Sequence, residues 1–306
     1  MQEDNDTVAV VGGGTMGVGI TYVFAAAGWA TTFVEPNDER AAVVHATLES
    51  VAAQGAARGK LTADQARAIP ASVRRVGSVG ELPDGLSVVI ETVPERFELK
   101  QQVLREIEAR RPDLIATNTS ALSVDALAAS LNDPTRFVGM HFFNPVWSLP
   151  MVELIRGAAS SDAAVERAAQ IAAAIGKQTI TVTDTPGFAT SRLDLIASLE
   201  AMRMLEDGVA SADDIDRAML LAYRHPIGPL RLSDIVGLDV RLDIARHLAT
   251  TLGDRYAPPR ILERLVAEGH LGQKTGRGFF EWPTAHAQPP IPAADREVPN
   301  ERTLHL

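Results

Sequence analysis

A glycine-rich turn that joins a short strand to an apolar helix constrains the fold of this chain more than any other feature. Gly12, Gly14 and Gly17 have the spacing Gly-x-Gly-x-x-Gly. Residues 7–11 before them are β-branched or small, and residues 18–27 after them are largely apolar. The chain contains 23 glycines, so the triplet alone could mark an ordinary turn. Its place between a predicted strand and a predicted helix instead indicates the phosphate-binding turn of a dinucleotide-binding domain.

Each position in this turn has a physical task that its residue type fits. Gly12 permits the tight turn at the end of the strand, Gly14 lets a pyrophosphate approach the backbone, and Gly17 lets the helix lie close to the sheet. Thr15 and Met16 occupy the helix N-terminus, where unpaired N–H groups and the helix dipole attract phosphate. We therefore predict that these five residues bind the cofactor.

A carboxylate at the end of the second predicted strand specifies the kind of dinucleotide. Glu35 follows the predicted strand at residues 31–34, about 20 residues beyond the glycine turn. A carboxylate at this position can accept hydrogen bonds from both ribose hydroxyls and would repel a 2′-phosphate. We therefore expect the cofactor to be NAD and not NADP.

Composition and charge exclude several other classes of protein. The chain has 306 residues, of which 46% are hydrophobic and none is cysteine, so we expect a sizeable core and no cysteine chemistry. A formal net charge of −10 disfavours nucleic acid as a partner. No apolar run approaches the ~20 residues that cross a bilayer, and the N-terminus does not resemble a secretion signal. We expect a soluble cytoplasmic protein without a metal site.

Predicted strands and helices alternate along roughly the first 180 residues, which indicates a doubly wound α/β sheet. The predicted strands lie at residues 7–11, 31–34, 88–90, 114–117, 136–140, 152–155 and 179–182, and the predicted helices between them at residues 18–27, 38–55, 95–110, 123–130 and 163–175, with a further helix from about residue 62. Helical patterns at residues 193–206, 211–222 and 240–251 follow without strands. We predict a Rossmann-like NAD-binding domain over residues 1–185, an all-helical domain over residues 186–283 and a loosely ordered tail over residues 284–306.

A histidine and a glutamate lie on consecutive predicted strands, near the end of the sheet where ligands bind. His141 directly follows the predicted strand at residues 136–140, and Glu153 lies on the next apolar strand. A buried carboxylate paired with a histidine fixes the imidazole tautomer and stabilises the imidazolium that forms when a proton is taken. The alternative is a structural histidine packed beneath the two phenylalanines that follow it. We predict that His141 and Glu153 form an acid–base pair.

A serine near the same edge of the sheet has two possible roles. Ser120 ends the sequence Asn-Thr-Ser that follows the predicted strand at residues 114–117. Its hydroxyl could reach the ligand crevice and hydrogen-bond a substrate oxygen. Serine is also a preferred helix N-cap, and the helix predicted at residues 123–130 offers that role. The residues alone leave both interpretations open.

Seven motifs follow one another in an order that carries a family resemblance. They are the glycine turn, Ile90-Glu91-Thr92-Val93-Pro94-Glu95 with Lys100, Asn118-Thr119-Ser120, His141-Phe142-Phe143-Asn144-Pro145, Asp184-Thr185-Pro186-Gly187-Phe188, His225-Pro226-Ile227-Gly228-Pro229 and Gly272-Gln273-Lys274-Thr275-Gly276-Arg277-Gly278-Phe279-Phe280. With these motifs, over about residues 6–282, the chain resembles the 3-hydroxyacyl-CoA dehydrogenase family, especially its short-chain bacterial 3-hydroxybutyryl-CoA dehydrogenases.

The resemblance implies a reaction of fatty acid metabolism and roles for individual residues. The protein would oxidise an (S)-3-hydroxyacyl-CoA, such as 3-hydroxybutyryl-CoA, to the 3-ketoacyl-CoA with NAD. His141 would be the catalytic base and Glu153 would hold it. Ser120 would bind the reacting oxygen, with Asn144 beside it.

The resemblance also implies contacts to the cofactor and to coenzyme A. Glu95 and Lys100 would contact the ribose and phosphate region of NAD, and Asn118 would belong to the same cofactor-binding set. Arg58 and Lys60 would match the family's CoA-binding arm, where Lys60 meets a phosphate, although a solvent-exposed loop would carry such charges as well. The helical domain would bind the substrate and join two subunits in a homodimer.

One position departs from the family pattern. Ser191 stands where the family often has an asparagine whose amide helps to polarise the substrate carbonyl. The loss of one such donor can cost ~3 kcal/mol of transition-state stabilisation. Serine also donates, over a shorter reach, so we predict that Ser191 takes part in catalysis, with water or Arg192 as a further donor.

Two other interpretations remain open. Gulonate and carnitine dehydrogenases, which act on free hydroxy acids, resemble the chain in the glycine turn and in a His-containing Asn-Pro loop, but that loop usually lacks Phe-Phe. A non-catalytic NAD-binding protein of the lens-crystallin type would share the fold. Such a protein would have no need for Ser120, His141 and Glu153 together.

Overall fold

A computed structural model of the chain describes residues 6–283. The chain divides into two compact units, one ending at Thr190 and the other beginning at Ser191. The domain bounds expected from the sequence remain a prediction, and the tail predicted at residues 284–306 lies outside the described residues. None of the helices within residues 6–283 combines the length and the apolar character that a membrane span requires.

The first unit contains an eight-stranded sheet with helices on both faces. Its strands are β1 (Thr7–Val11), β2 (Ala30–Val34), β3 (Arg74–Val76), β4 (Val88–Glu91), β5 (Ile115–Thr117), β6 (Phe137–Phe142), β7 (Met151–Arg156) and β8 (Gln178–Thr183). Its helices are α1 (Thr15–Ala26), α2 (Asp38–Ala57), α3 (Ala63–Ser72), α4 (Phe97–Glu108), α5 (Val124–Ala128) and α6 (Asp162–Ala174). The predicted doubly wound α/β class is confirmed.

The strand order places a ligand crevice next to the glycine turn. The order is β3-β2-β1-β4-β5-β6-β7-β8, so the chain runs outward from β1 to β3 and then returns to β4 on the other side of β1. Pairing is parallel from β3 to β6, whereas β7 is antiparallel to β6. In open sheets of this kind, ligands bind outside the carboxyl ends of the strands where the order reverses. The crevice at the ends of β1 and β4 is therefore the expected ligand site.

The central strands β1, β4, β5 and β6 are buried along almost their whole length because helices cover both faces of the sheet. Val8 and Val10 of β1 point to one face, and Ala9 and Val11 point to the other. The first pair packs in a buried apolar cluster with α1, α2, α3 and α6. The second pair packs in another cluster with α4 and α5.

Two strands differ from the prediction. Strand β3 was not expected, because three residues that include two arginines give no apolar alternation. Strand β6 extends to Phe142, so that His141 lies inside the strand and not after it. The extension follows from pairing with β7, which continues across His141 and Phe142.

The described part of the second unit is helical, as the sequence predicts. Its helices are α7 (Thr190–Glu206), which starts at the last residue of the first unit, α8 (Ala212–Ala222), α9 (Pro229–Val236), α10 (Leu238–Leu252) and α11 (Arg260–Ala267). Within residues 191–283 the only β-pairing consists of two isolated bridges, both at Arg277. Leu195, Leu199, Leu242 and Leu262 contribute to a single apolar core.

A buried aspartate holds the glycine-rich segment near the end of this unit. The carboxylate of Asp234 accepts hydrogen bonds from the N–H groups of Phe279 and Phe280 and from the indole N–H of Trp282, each at 2.9 Å. A Cβ on Gly278 would lie 2.1 Å from this carboxylate, which explains the glycine. Burial raises the pKa of Asp234, while the N–H donors act in the opposite direction. Asp234 therefore fixes this segment against the helical core, and the role of the segment is structural.

We expect Asp234→Ala to destabilise the protein by about 3 kcal/mol or more, because three donors, among them the buried indole N–H of Trp282, lose their acceptor. The free energy of unfolding in urea measures the effect. The matched control is Asp239→Ala, which removes an exposed ion pair with Lys274 and should cost about 1 kcal/mol or less. Equal losses in the two variants would contradict the structural role of Asp234.

Candidate active site

The turn after β1 leaves the N-terminus of α1 open to an anion. Gly14 is the N-cap of α1 in extended conformation, and no side chain caps the helix. Gly12 has φ +116°, a region that side chains rarely adopt. The Thr92 hydroxyl donates to the carbonyl oxygens of Val11 at 2.9 Å and Gly12 at 3.1 Å, which fixes the turn. The first N–H groups of α1 are thus presented as an anion-binding site.

The space around the glycines fits a pyrophosphate. A Cβ on Gly17 would lie 1.8 Å from the carbonyl oxygen of Gly12, so only glycine lets the helix approach the turn. A Cβ on Gly14 would meet no atom within 4 Å, so this side of the turn is open for a ligand. Thr15 and Met16 follow as the first two residues of α1. This cradle suits the diphosphate of NAD.

Glu35 is held beside the glycine turn at the end of β2. One carboxylate oxygen accepts the N–H of Gly13 at 3.1 Å, and the other accepts the N–H of Asn37 at 3.0 Å. The Arg75 guanidinium bonds to the backbone carbonyl of Glu35, at 2.9 and 3.0 Å, and forms an ion pair with Asp38 at 2.6 Å. An ionised carboxylate has about four acceptor sites, so capacity remains for ribose hydroxyls.

Lys100 lies in a buried network between β4 and the following loop. Its side chain is 1% exposed, and its Nζ donates to both carboxylate oxygens of Glu91 at 2.8 and 2.9 Å and to the carbonyl of Val93 at 3.1 Å. Burial raises the pKa of Glu91, and the charge of Lys100 opposes that effect. The lysine therefore supports the ends of the strands, and its contact with the cofactor remains a prediction.

Glu95 shapes the loop that carries Ser120. Its carboxylate pairs with Lys100 at 3.2 Å and accepts the Thr119 hydroxyl at 2.5 Å and the N–H groups of Ser120 and Ala121 at 3.0 and 3.1 Å. Burial acts to raise the pKa of Glu95, but the charge of Lys100 and these hydrogen bonds outweigh it and lower the pKa.

Ser120 is exposed, and its hydroxyl has no partner among residues 6–283. The N-cap of α5 is Ser123, whose side chain accepts the N–H of Ala126. The interpretation of Ser120 as a helix cap is therefore wrong, because Ser123 and not Ser120 directly precedes the first residue of α5. The hydroxyl of Ser120 is available to a ligand.

The antiparallel pairing of β6 and β7 brings His141 and Glu153 together. The two residues are direct cross-strand partners, and the Nδ1 of His141 lies 3.0 Å from the Oε2 of Glu153. The ring of Phe143 packs at 4.4 Å from the imidazole and the ring of Phe188 at 6.0 Å, measured between centroids. Of the two phenylalanines expected above the histidine, Phe143 packs against it, whereas Phe142 belongs to the apolar cluster with α1, α2, α3 and α6.

The hydrogen bonds of Glu153 determine the tautomer of His141. Glu153 is fully buried and accepts the N–H groups of Ala189 and Thr190 at 2.9 and 3.1 Å and the Thr190 hydroxyl at 2.7 Å. Burial acts to raise the pKa of Glu153, but the bonds from His141, Thr190 and Ala189 outweigh it and lower the pKa. An ionised carboxylate only accepts, so Nδ1 of His141 donates and Nε2 remains free to take a proton.

Two further contacts support the loop after β6. The side-chain oxygen of Asn118 accepts the N–H of Phe142 at 2.8 Å and ties the end of β5 to β6. The Nζ of Lys177 donates to the carbonyls of Val146 and Leu149 at 2.5 and 2.7 Å, and burial lowers the pKa of Lys177. Asn144 is exposed in the same loop. Lysine is scarce in this chain, but scarcity does not indicate that the ammonium group of Lys177 is buried against backbone carbonyls.

Three predicted residues lie outside this group. Arg58 and Lys60 are exposed at the C-terminal end of α2, and neither forms an ion pair within the described part of the chain. Ser191 is the second residue of α7 and belongs to the second unit. Residues 6–283 contain no group of three His, Asp or Glu side chains that could hold a metal ion.

An enzyme that exchanges a hydride with a nicotinamide needs a seat for the dinucleotide and a nearby group that exchanges a proton. The first unit has a glycine turn at the end of β1 and a histidine with a free Nε2 in β6 of the same sheet. The protein is of this class, an NAD-dependent oxidoreductase.

Comparison with known proteins defines the family. The model of the 3-hydroxyacyl-CoA dehydrogenase NAD binding domain matches residues 7–185, and that of the C-terminal domain matches residues 187–282. The chain therefore belongs to the 3-hydroxyacyl-CoA dehydrogenase family, and the predicted resemblance is confirmed.

Individual relatives agree with this assignment along nearly the whole chain. It is 36% identical to the 3-hydroxybutyryl-CoA dehydrogenase of Bradyrhizobium diazoefficiens, over 92% of this chain and 97% of that protein. It is also 36% identical to the 3-hydroxybutyryl-CoA dehydrogenase of Mycobacterium tuberculosis, over 92% of this chain and 100% of that one. The solved structure of (S)-3-hydroxybutyryl-CoA dehydrogenase from Ralstonia eutropha superimposes with a TM-score of 0.86 at 37% identity, covering 92% and 100% of the two chains.

The two glycines of the turn should respond differently to a methyl group. We expect Gly17→Ala to lower the thermal unfolding temperature and to abolish NADH binding, because the added Cβ overlaps the Gly12 carbonyl. We expect Gly14→Ala to leave the unfolding temperature nearly unchanged but to weaken NADH binding about tenfold or more, because its methyl group enters the space for the pyrophosphate. Unfolding scans and NADH fluorescence titrations measure both effects. Wild-type affinity in Gly14→Ala would contradict this placement of the cofactor.

Proposed function

We propose that the protein reversibly oxidises short-chain (S)-3-hydroxyacyl-CoA, with 3-hydroxybutyryl-CoA as the preferred example, to the 3-ketoacyl-CoA. The observation that carries the proposal is the 3.0 Å bond between Nδ1 of His141 and the buried Glu153 carboxylate. Relatives named 3-hydroxybutyryl-CoA dehydrogenase, matched over almost their full length, support the substrate class.

In this proposal the proton and the hydride leave the substrate in different directions. Nε2 of His141 takes the proton of the 3-hydroxyl group. NAD, when bound, supplies the acceptor for the hydride that leaves the carbon bearing this hydroxyl group. Glu153 stays ionised and offsets the charge of the imidazolium, which lowers the free energy of the transition state.

Hydroxyl and amide groups bind the substrate oxygen as it becomes a carbonyl. Ser120 and Ser191 donate hydrogen bonds to this oxygen, and Asn144 assists from the loop after β6. The residues proposed to bind NAD are Gly12, Gly14, Thr15, Met16, Gly17, Glu35, Glu95, Lys100, Asn118 and Asn144. Arg58 and Lys60, which are exposed cations, bind phosphate groups of coenzyme A.

The principal test compares substrates in the wild type and in His141→Ala. We expect NAD reduction with 3-hydroxybutyryl-CoA, slower reduction with free 3-hydroxybutyrate, and weak activity with NADP because of Glu35. His141→Ala should lower turnover about 100-fold or more and leave NADH affinity unchanged, because the variant lacks only the proton acceptor. Steady-state kinetics and NADH fluorescence titrations measure these quantities.

The control for this test is His247→Ala, at an exposed position of α10, which should behave as the wild type. Preference for the free acid would favour a dehydrogenase of the gulonate or carnitine type. NADH binding without turnover of any hydroxyacyl compound would favour the crystallin-type interpretation. An unchanged rate in His141→Ala would remove this residue from the mechanism.

We also propose that the protein is a cytoplasmic homodimer joined through its helical unit. Most of the exposed large apolar side chains belong to that unit: Leu193, Val209, Leu221, Tyr223, Ile235, Val236 and Val240. Where exposed apolar side chains adjoin one another they mark an interaction surface. Light scattering should give twice the 32.7 kDa mass of one chain, and the mass of a single chain at micromolar concentration would contradict the dimer.

A further inference from the structure

A short turn before α7 aims two backbone donors and one hydroxyl at Glu153. Gly187 and Phe188 have φ +73° and φ +48°, so the chain reverses sharply after β8. Phe188 is buried in the apolar cluster of α4 and α5, which holds this turn in place. The N–H groups of Ala189 and Thr190 then point at Oε1 of Glu153, and the Thr190 hydroxyl reaches Oε2.

The four hydrogen bonds use the full acceptor capacity of the carboxylate. Oε1 accepts the two backbone N–H groups, and Oε2 accepts the Thr190 hydroxyl at 2.7 Å and Nδ1 of His141 at 3.0 Å. The hydroxyl and the imidazole therefore share one oxygen. Because this oxygen is ionised and accepts only, Thr190 donates to it. Rotation of the carboxylate would break all four bonds together.

We propose that Thr190 is a positioning residue for the acid–base pair, and that its hydroxyl sets both the orientation of Glu153 and the strength of the hydrogen bond that His141 donates to Glu153. The proposal rests on the proposed function in one respect, namely that His141 is the base. The direction of the effect follows from the shared oxygen. A carboxylate oxygen that accepts a second hydrogen bond has less negative charge available for its first donor. Thr190 thus moderates the stabilisation of the imidazolium.

The hydroxyl of Thr190 is the main contact through which a substitution can alter the bond between His141 and Glu153. No titratable side chain other than His141 hydrogen-bonds to Glu153 within the described residues. Strand β8 carries no titratable residue, and α6 packs on the opposite face of the sheet, with Val152 and Leu154. Within the first unit, the charged groups on the segments around β7 are Arg156 on β7 itself, Asp125 on α5, Lys177 before β8, Asp184 after β8, and Asp162, Glu166 and Arg167 on α6.

Thr190→Val tests the proposal because it keeps the shape of the side chain and both backbone N–H bonds while removing the hydroxyl. We expect the titration midpoint of the His141 imidazole, followed by NMR in the full chain without substrate, to rise by about half a pH unit, a threefold gain in proton affinity. The acid limb of kcat/KM should move in the same direction. We expect kcat to fall about tenfold with the KM for NAD unchanged, because Glu153 is less firmly oriented.

Two further variants separate this role from a structural one. Thr190→Ser restores the hydroxyl and should return the midpoint to the wild-type value, even if the protein unfolds at a lower temperature. Thr181→Val makes the same change at an exposed position on β8 and should shift nothing. An unshifted midpoint in Thr190→Val, or an equal shift in Thr190→Ser, would overturn the proposal.

The titration is independent of the substrate, so the two proposals can fail separately. A shifted midpoint in a protein that oxidises no hydroxyacyl-CoA would sustain the coupling from Thr190 to His141 and refute the proposed reaction. Normal turnover with an unshifted midpoint would refute only the role of Thr190. The signal of His141 is assigned by its loss in His141→Ala.

Discussion

The buried carboxylate of Glu153 is the contact on which the arrangement of the site depends. A negative charge removed from water is costly unless donors surround it, and here an imidazole, a hydroxyl and two backbone N–H groups do so. These donors come from β6 and from the start of α7, so one side chain of β7 holds two other elements in register. The same bonds keep Glu153 ionised and leave Nε2 of His141 as the acceptor. Local stability and proton chemistry therefore have one physical origin.

Much of this arrangement was predictable, because its signals are local in the sequence. The glycine spacing indicates a turn that lies close to both a helix and a ligand. Gly17 shows why glycine is needed there, because a side chain at this position would overlap the carbonyl of Gly12. His141 and Glu153 could be paired because consecutive apolar strands are often neighbours in a sheet. Their register could not be predicted, since it depends on the length of the loop between them.

Other features depend on contacts between distant segments and carry no local signal. Strand β3 is three residues long and forms only because β2 offers an unpaired edge. Lys100 and Lys177 look like ordinary charged residues, yet their ammonium groups are buried against carboxylates and carbonyls contributed by other parts of the chain. Thr190 carries no signal for the same reason, since a threonine at the start of a helix usually caps that helix.

The reversal of direction at β7 has a consequence for the chain entropy that the site costs. Parallel strands require a long crossover, but the antiparallel β6 and β7 are joined by a short loop, so base and carboxylate fall within one continuous stretch, residues 137–156. The pairing of His141 with Glu153 is therefore a contact of short sequence separation, 12 residues, and closing this loop costs less chain entropy than a crossover between two parallel strands would.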